Sequence, residues 1–173
     1  MKLWINNKNI CAYDQNQRYV GDLYYIVNWF CEKIEYILGH DVFPLPVDGK
    51  TTLVLIENAN KFDSDNKLEI DLWYAAKSRW VLNHCWFIAR GGSVLPCVYF
   101  RRIGDLIEIS WDNTLWKKKN INFEFQKGVF QIGVRPFTVI ITEFLNAIIG
   151  DLRKRISNTA KIRELEGYIS ILR

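Results

Sequence analysis

Apolar residues recur along the chain with two different periods, which predict helices in some segments and strands in others. Over residues 19–38, large apolar side chains return every three or four positions, as in an amphipathic helix, and Gly39 is placed to end it. Thr51 or Thr52 is placed to cap a short helix that ends at Ala59, although Val54 and Ile56 keep a strand possible. A further apolar stripe, with Pro136 in its first turn, predicts a helix over 136–155.

The segment 67–90 is apolar on nearly every side of its predicted helix. Its large side chains include Trp73, Trp80 and Trp86, and the pair Gly91-Gly92 provides a stop. A helix that is apolar on most sides is usually buried on most sides. The sequence therefore predicts a central helix here, with a sheet on one flank and other helices on the opposite flank.

A tight turn at Gly104-Asp105 predicts a β-hairpin together with its register. A two-residue loop sets Ile103 opposite Leu106, and the pairs continue to Val98 opposite Trp111. Side chains alternate across a sheet, so one face is predicted to join the core. That face carries Val98, Phe100, Ile107, Ile109 and Trp111, with Arg102 near the turn. The other face, expected to be partly wet, carries Tyr99, Arg101, Ile103, Leu106, Glu108 and Ser110.

These elements predict one α+β domain over residues 1–156. A second hairpin is expected from 121–125 and 129–134, and short strands are expected near the start of the chain. The predicted architecture is a mostly antiparallel sheet of four to six strands, packed against the buried long helix and the helix at 136–155.

The last segment, 157–173, is predicted to be a helical appendage. Its apolar residues form a narrow stripe that resembles a coiled-coil seam more than the face of a buried helix. We therefore expect this stripe to bind a protein partner or to drive self-association. The candidate contact residues are Ile162, Leu165, Ile169 and Leu172.

Composition indicates a folded body without a strong charge signal. The chain has 173 residues, of which 49% are hydrophobic and 14% aromatic, so there is ample material for a core. The net charge of +4 is mild for a nucleic-acid-binding domain, in which basic residues are usually more numerous and clustered. None of the four cysteines lies at zinc-ligand spacing, so neither a metal nor a cofactor is predicted.

The sequence also carries expectations about location. The first residues lack the apolar run of a signal peptide, and no segment is apolar enough to span a bilayer. We therefore expect a cytoplasmic protein with reduced thiols and no membrane partner.

Several candidate catalytic motifs have a simpler structural interpretation. Gly49-Lys50-Thr51 resembles the end of a phosphate-binding loop, but Pro44 stands where that loop needs a glycine. Asp105 and Glu108 suggest a nuclease strand pair, yet Ser110 stands where a lysine is usual.

Two further candidates are also interpreted structurally. Glu108 is predicted to pair across the hairpin with Arg101. His84 is predicted to be a buried, hydrogen-bonded structural residue, although an enzyme using His84 with Arg90 or Glu108 stays a third possibility.

A set of residues around the hairpin resembles an uncharacterised prokaryotic domain found beside components of defence and conflict systems. The resemblance covers about residues 1–150. It is carried by Trp80, His84, Ala89, Gly91-Gly92, Pro96, Arg102, Gly104-Asp105 and Glu108 to Trp111. It implies an accessory module and no catalytic residue.

The leading functional prediction is a non-enzymatic protein-interaction module, an accessory or regulatory component of a bacterial defence or immunity system. The alternative is a nucleic-acid-binding accessory protein that uses a basic loop, with affinity that falls steeply as salt rises. The residues of that alternative are Arg101, Lys117, Lys118 and Lys119.

Overall fold

The computed structural model describes residues 2–13, 23–92, 94–155, 157 and 159–170. Its helices are α1 (Leu23–Leu38), α2 (Thr52–Ala59), α3 (Lys67–His84), α4 (Val134–Arg155) and α5 (Thr159–Ser170). Its strands are β1 (Trp4–Ile5), β2 (Lys8–Asn9), β3 (Val98–Ile103), β4 (Leu106–Asp112) and β5 (Lys127–Gly133). Two 3₁₀ helices, Trp86–Arg90 and Thr114–Lys119, complete the elements.

The strands form two small antiparallel sheets instead of one sheet of four to six strands, so that part of the prediction is wrong. β1 pairs with β2, and the larger sheet has the order β3-β4-β5. The α+β class is confirmed. The predicted register of the β3–β4 hairpin is also confirmed at every pair from Val98–Trp111 to Ile103–Leu106.

The second predicted hairpin is wrong because its first arm does not form a strand. β5 pairs instead with β4, whose second edge was available for backbone hydrogen bonds. Within 121–125, Phe123 makes an isolated bridge to Tyr13. Ile121 and Phe123 pack with Trp116 in a small apolar cluster, so their side chains are buried without a strand ladder.

The helix at the centre of the molecule is α1, not α3. Seven residues of α1 are buried, and they include Trp29 and Phe30. In α3 the buried residues are Trp80 and His84, while Leu68 and Leu72 stay exposed. The prediction of a central helix over 67–90 is therefore wrong, because apolar residues on several sides do not determine which side meets the core. The helix also ends early, at His84, and the 3₁₀ helix Trp86–Arg90 continues to Gly91.

The two faces of the β3-β4-β5 sheet are covered to different extents. The predicted core face packs against α1 and α4, and its five apolar residues Val98, Phe100, Ile107, Ile109 and Trp111 are all buried. The opposite face is partly wet, as predicted, since Ile103 and Leu106 are exposed near the turn. At its centre, however, α2 packs over β4, and Glu108 and Ser110 are completely buried.

α5 packs on α1 and α4. Its residues Ile162, Leu165 and Ile169 are buried in the same apolar cluster as Phe30 and Phe100. The Cys31 thiol lies 3.8 Å from the carbonyl oxygen of Leu165. The helix therefore adds to the core of the domain.

Candidate functional site

A buried carboxylate organises the polar face of the sheet. Glu108 of β4 has no exposed surface, and its Oε2 accepts a hydrogen bond from Arg101 Nη2 at 3.0 Å. Its Oε1 accepts from the Thr52 backbone N–H at 2.7 Å and from the Ser110 hydroxyl at 3.2 Å. Charge-assisted bonds of this kind compensate the loss of water around a carboxylate. Glu108 therefore ties the first turn of α2 to the sheet, and the predicted Arg101–Glu108 pair is confirmed.

His84 lies beside this cluster as a buried imidazole. Its Nδ1 is 2.9 Å from the Trp80 carbonyl oxygen, so Nδ1 carries the proton and donates it to that acceptor. The ring stacks on Trp80 with centroids 4.0 Å apart. Its Nε2 lies 3.8 Å from Asp41 Oδ2, which is too far for a hydrogen bond. Burial lowers the pKa of His84, although Trp80 and Asp41 oppose the shift.

Two of the groups named for the enzymatic possibility, His84 and Glu108, do not open to solvent. His84 and Glu108 are completely buried, and each is held by the protein itself. The side chain of Arg90 lies outside the described residues. Among the described residues, no group of three or more His, Cys, Asp or Glu side chains is arranged to hold a metal ion.

Next to the Glu108 cluster, a cavity of about 380 Å³ opens at the surface. We call it the basic cavity because four of its lining residues are basic. These are His40, Lys50, Arg101 and Arg102. The remaining lining residues are Val42, Phe43, Gly49, Ile103 and Gly104. No carboxylate is part of this lining, so the cavity is suited to an anion.

The apolar face of the sheet contains a second cavity, of about 320 Å³. Residues of β1, α1, β5 and α4 line it, and many of them are aromatic, such as Phe30, Phe130 and Phe144. Trp4 and Ile140, which are 59% and 53% exposed, also belong to the lining, together with Lys2. This cavity, which we call the apolar cavity, therefore reaches the surface between the N-terminal hairpin and α4.

The C-terminal stripe predicted to bind a partner is not a free surface. Ile162, Leu165 and Ile169 are 5%, 0% and 4% exposed, and they contact the protein's own core. Leu172 lies outside the described residues. α1 and α4 pack against this narrow stripe. The interpretation of these three buried residues as a contact surface for a partner is therefore corrected.

The residues of the predicted basic patch are not brought together. Arg101 lies near the turn end of the hairpin, where it pairs with Glu108. Lys117, Lys118 and Lys119 are exposed at the end of the 3₁₀ helix Thr114–Lys119, which follows the other end of β4. A nucleic-acid surface on this protein would have to be formed by the three lysines without Arg101.

All four cysteines are buried, and none of them forms a disulfide in the described part of the chain. Burial raises the pKa of Cys11 to about 11 and that of Cys31 to about 12. The Sγ atoms of Cys85 and Cys97 lie 3.7 Å apart, and burial also raises the pKa of Cys85. Thiols with raised pKa values in apolar surroundings are poor nucleophiles, and this applies to Cys11, Cys31 and Cys85. The pKa of Cys97 is instead lowered, mainly by its hydrogen bond with Cys85.

Sequence reasoning missed both cavities. Nothing in the spacing of His40 and Lys50 along the chain connects them with the Arg101-Arg102 pair. One signal is present: the loop after Gly39 carries Phe43, Leu45 and Val47, and such apolar side chains favour packing against the body of the domain. The basic cavity lies where that loop meets the β3–β4 turn.

Comparison with known proteins identifies no relative: no family model, curated protein or solved structure matches this chain. The resemblance to defence-associated accessory domains therefore stays a prediction. In the described part of the chain, none of the helices has both the length and the apolar character needed to cross a bilayer.

Proposed function

We propose that this protein is a non-enzymatic protein-interaction module that binds an extended segment of a partner along the outer edge of β5. One observation carries the proposal: the edge strand of the sheet also lines the apolar cavity. The surface differs from the C-terminal stripe that the sequence suggested.

The first support is the free edge of β5. Within the described residues, β5 has β4 on one side and no strand on the other. An edge strand presents a row of backbone N–H and C=O groups that can pair with another chain. Val129 and Gln131 are exposed on this strand, and β5 itself contains no proline.

The second support is the position of the apolar cavity beside that edge. Phe130 and Ile132 point to the core face of the sheet, opposite Ile109 and Ile107 of β4, and both line the cavity. In strand addition, main-chain hydrogen bonds provide affinity and pockets for alternate side chains provide specificity. A strand next to β5 could therefore direct an apolar side chain into the cavity.

An extended peptide is the ligand that would cover both the free edge of β5 and the apolar cavity. A small apolar molecule in the cavity would leave the outer backbone groups of β5 in water. It would also leave much of Trp4 and Ile140 exposed, since these are more than half exposed at the rim. A peptide strand satisfies the backbone groups and shields the rim side chains together.

The test begins with selection of short random peptides, displayed on phage, for binding to the full chain. The selected peptides are then synthesised and titrated into the protein, and amide resonances are followed by NMR. We expect peptides with a bulky apolar residue among alternating polar ones. They should shift the amide resonances of Val129 and Gln131. Ile140→Asp should weaken their binding by at least about tenfold, because it places a charge at the cavity rim.

The matched control is Leu68→Asp, at an apolar residue of α3 that is 64% exposed and does not line the apolar cavity. It should leave peptide affinity unchanged, and thermal unfolding should show both variants folded. Peptides that bind as helices, resonance shifts that avoid β5, or no selected peptide at all would overturn the proposal. Binding of a fatty acid without any change at β5 would show that the cavity serves a small ligand instead.

A further inference from the structure

We propose that the basic cavity binds a small phosphate monoester that carries an aromatic ring, of about the size of a mononucleotide. This inference concerns the polar side of the sheet and is independent of the proposed partner site at β5. It rests on the convergence of cationic side chains, on how two of them are held, and on the apolar residues between them.

The basic side chains of the cavity come from separate parts of the chain. His40 follows α1, Lys50 precedes α2, and Arg101 and Arg102 are adjacent residues of β3. Among the described residues, no carboxylate lies within ion-pair distance of Lys50 or Arg102, whereas Arg101 is paired with Glu108. The positive charges of Lys50 and Arg102 thus have no ion-pair partner among the described residues, which favours an anion with more than one negative charge.

The two arginines are fixed before any ligand arrives. Arg102 donates from Nε to the Gly104 carbonyl oxygen at 2.8 Å and from Nη1 to that of Leu38. Arg101 donates from Nη2 to Glu108 and, at 3.3 Å, to the Lys50 carbonyl oxygen. Cations held by such bonds lose little conformational entropy when they bind a ligand.

One donor of this group makes no hydrogen bond among the described residues. Arg101 Nε is buried and has no hydrogen-bond partner among the described residues, although the side chain as a whole is 12% exposed. A buried N–H without a partner is unfavourable, so an acceptor oxygen that reached it would be stabilised. Phosphate oxygens are suitable acceptors for guanidinium groups.

The site differs from a phosphate-binding loop. Gly49-Lys50-Thr51 does lead into α2, but the N–H of Thr52 in its first turn already donates to Glu108. The protein's own carboxylate thus occupies the place that a phosphate takes at a helix N-terminus. An anion in the basic cavity is therefore recognised by side chains. Such recognition does not need the glycine of a phosphate-binding loop, so Pro44 is compatible with it.

The apolar part of the lining defines the rest of the ligand. Val42, Phe43 and Ile103 share the cavity with the four basic residues. Phe43 is supported from behind by Trp80, with ring centroids 5.1 Å apart. A ring attached to the phosphate could pack on these side chains, and a volume of about 380 Å³ lies within the range of sites for small organic ligands.

The probes that test the proposal are phenyl phosphate, adenosine monophosphate, inorganic phosphate and phenol, titrated into the full chain by NMR at low salt. We expect the two phosphate monoesters to shift the amide resonances of Lys50, Ile103 and Gly104. Inorganic phosphate should bind more weakly and phenol not measurably. Raising the salt concentration should weaken binding of the charged probes, because the cavity is accessible to ions.

Lys50→Gln should weaken phenyl phosphate binding by about tenfold, since it removes one exposed charge without changing a buried contact. The matched control, Lys67→Gln, changes another exposed lysine at the start of α3 and should have no effect. Equal affinity for phenol, equal affinity in Lys50→Gln, or resonance shifts outside the basic cavity would each overturn the proposal.

Discussion

Both faces of the β3-β4-β5 sheet contain completely buried residues, but these are stabilised by different interactions. On one face, Phe100, Ile107 and Ile109 pack against apolar helices, and burial of hydrocarbon drives the contact. On the other face, Glu108 and Ser110 are equally buried, yet they need specific partners. An apolar residue requires only matching shape, whereas a buried carboxylate requires donors in fixed places.

Each face also carries one of the two cavities. The apolar cavity lies among the aromatic residues of the first face, and the basic cavity opens beside the charged cluster of the second. Their linings differ in the same way as the faces themselves. Substitutions that disturb one face at a time can therefore test the comparison.

The largest effect is expected from Glu108→Ala on the polar face. The change leaves the buried Arg101 charge and the Thr52 N–H without their acceptor, and removing one partner of a buried pair costs about 3–5 kcal/mol. Urea unfolding followed by tryptophan fluorescence measures the loss. The double variant Arg101→Met with Glu108→Leu should lose less than Glu108→Ala, because it leaves no unpaired charge. A loss below about 1 kcal/mol for Glu108→Ala, as for exposed pairs, would contradict the comparison.

On the apolar side, Leu165→Ala should destabilise the protein by about 2–5 kcal/mol, because it opens a cavity beneath α5. Leu72→Ala is the matched control: its side chain is 62% exposed, so a change of about 0.5 kcal/mol or less is expected. Thermal and urea unfolding compare the two. A folded Leu165→Ala protein of unchanged stability but altered oligomeric state would restore the interpretation of the stripe as a partner seam.

A smaller effect is expected where β5 meets the apolar face. A Cβ at Gly128 would lie 2.1 Å from Cζ2 of Trp111, so Gly128→Ala should cost about 1–3 kcal/mol through overpacking. The control is Gly150→Ala in α4, where an added Cβ meets nothing within 4 Å. This control should raise stability slightly, because alanine is the better helix former. If both substitutions changed the free energy of unfolding in the same direction, Trp111 would not be packed against β5 as described.

The smallest effect is expected from the ion pair at the other end of β5. Asp112 Oδ2 lies 2.8 Å from Lys127 Nζ, and both side chains are partly exposed, so Lys127→Met should cost about 0.2–1 kcal/mol. Partial burial alone would raise the pKa of Asp112, but hydrogen bonds from Lys127 and Thr114 hold it below 3.8.

The sign of the pH dependence follows from that lowered pKa. The unfolded chain binds the Asp112 proton more readily than the folded chain, so the stabilisation is present above pH 3.8 and is lost as the pH falls further. Stability curves of the parent and of Lys127→Met should therefore converge in acid. A difference that grew as the pH fell would contradict the assignment.

Local rules predicted the strand hairpin well. The turn at Gly104-Asp105 has Gly104 at a positive φ of 58°, and the register from Val98–Trp111 onward follows from it. Such features depend on neighbouring residues alone, because turn chemistry and side-chain alternation act over short distances. The cap of α2 at Thr51 is another case, since its hydroxyl accepts from the N–H of Val54.

The features that the sequence did not predict depend on contacts between distant segments. Nothing in the sequence near β5 indicates that it pairs with β4 and not with 121–125. Likewise, the stripe of Ile162, Leu165 and Ile169 has the same spacing whether it meets α1 or another chain. His40 and Lys50 join Arg101 only because the loop after α1 folds over the β3–β4 turn.

By itself, the sequence determined the α+β class, most helices, the β3–β4 register and the Arg101–Glu108 pair, because each depends on local periodicity or on one short turn. Tertiary structure alone decided which helix is central, that α2 covers Glu108, and where the two cavities lie. These features depend on which apolar surfaces of the chain pack against one another. Periodicity shows that a surface must be covered, but only the packed chain shows what covers it.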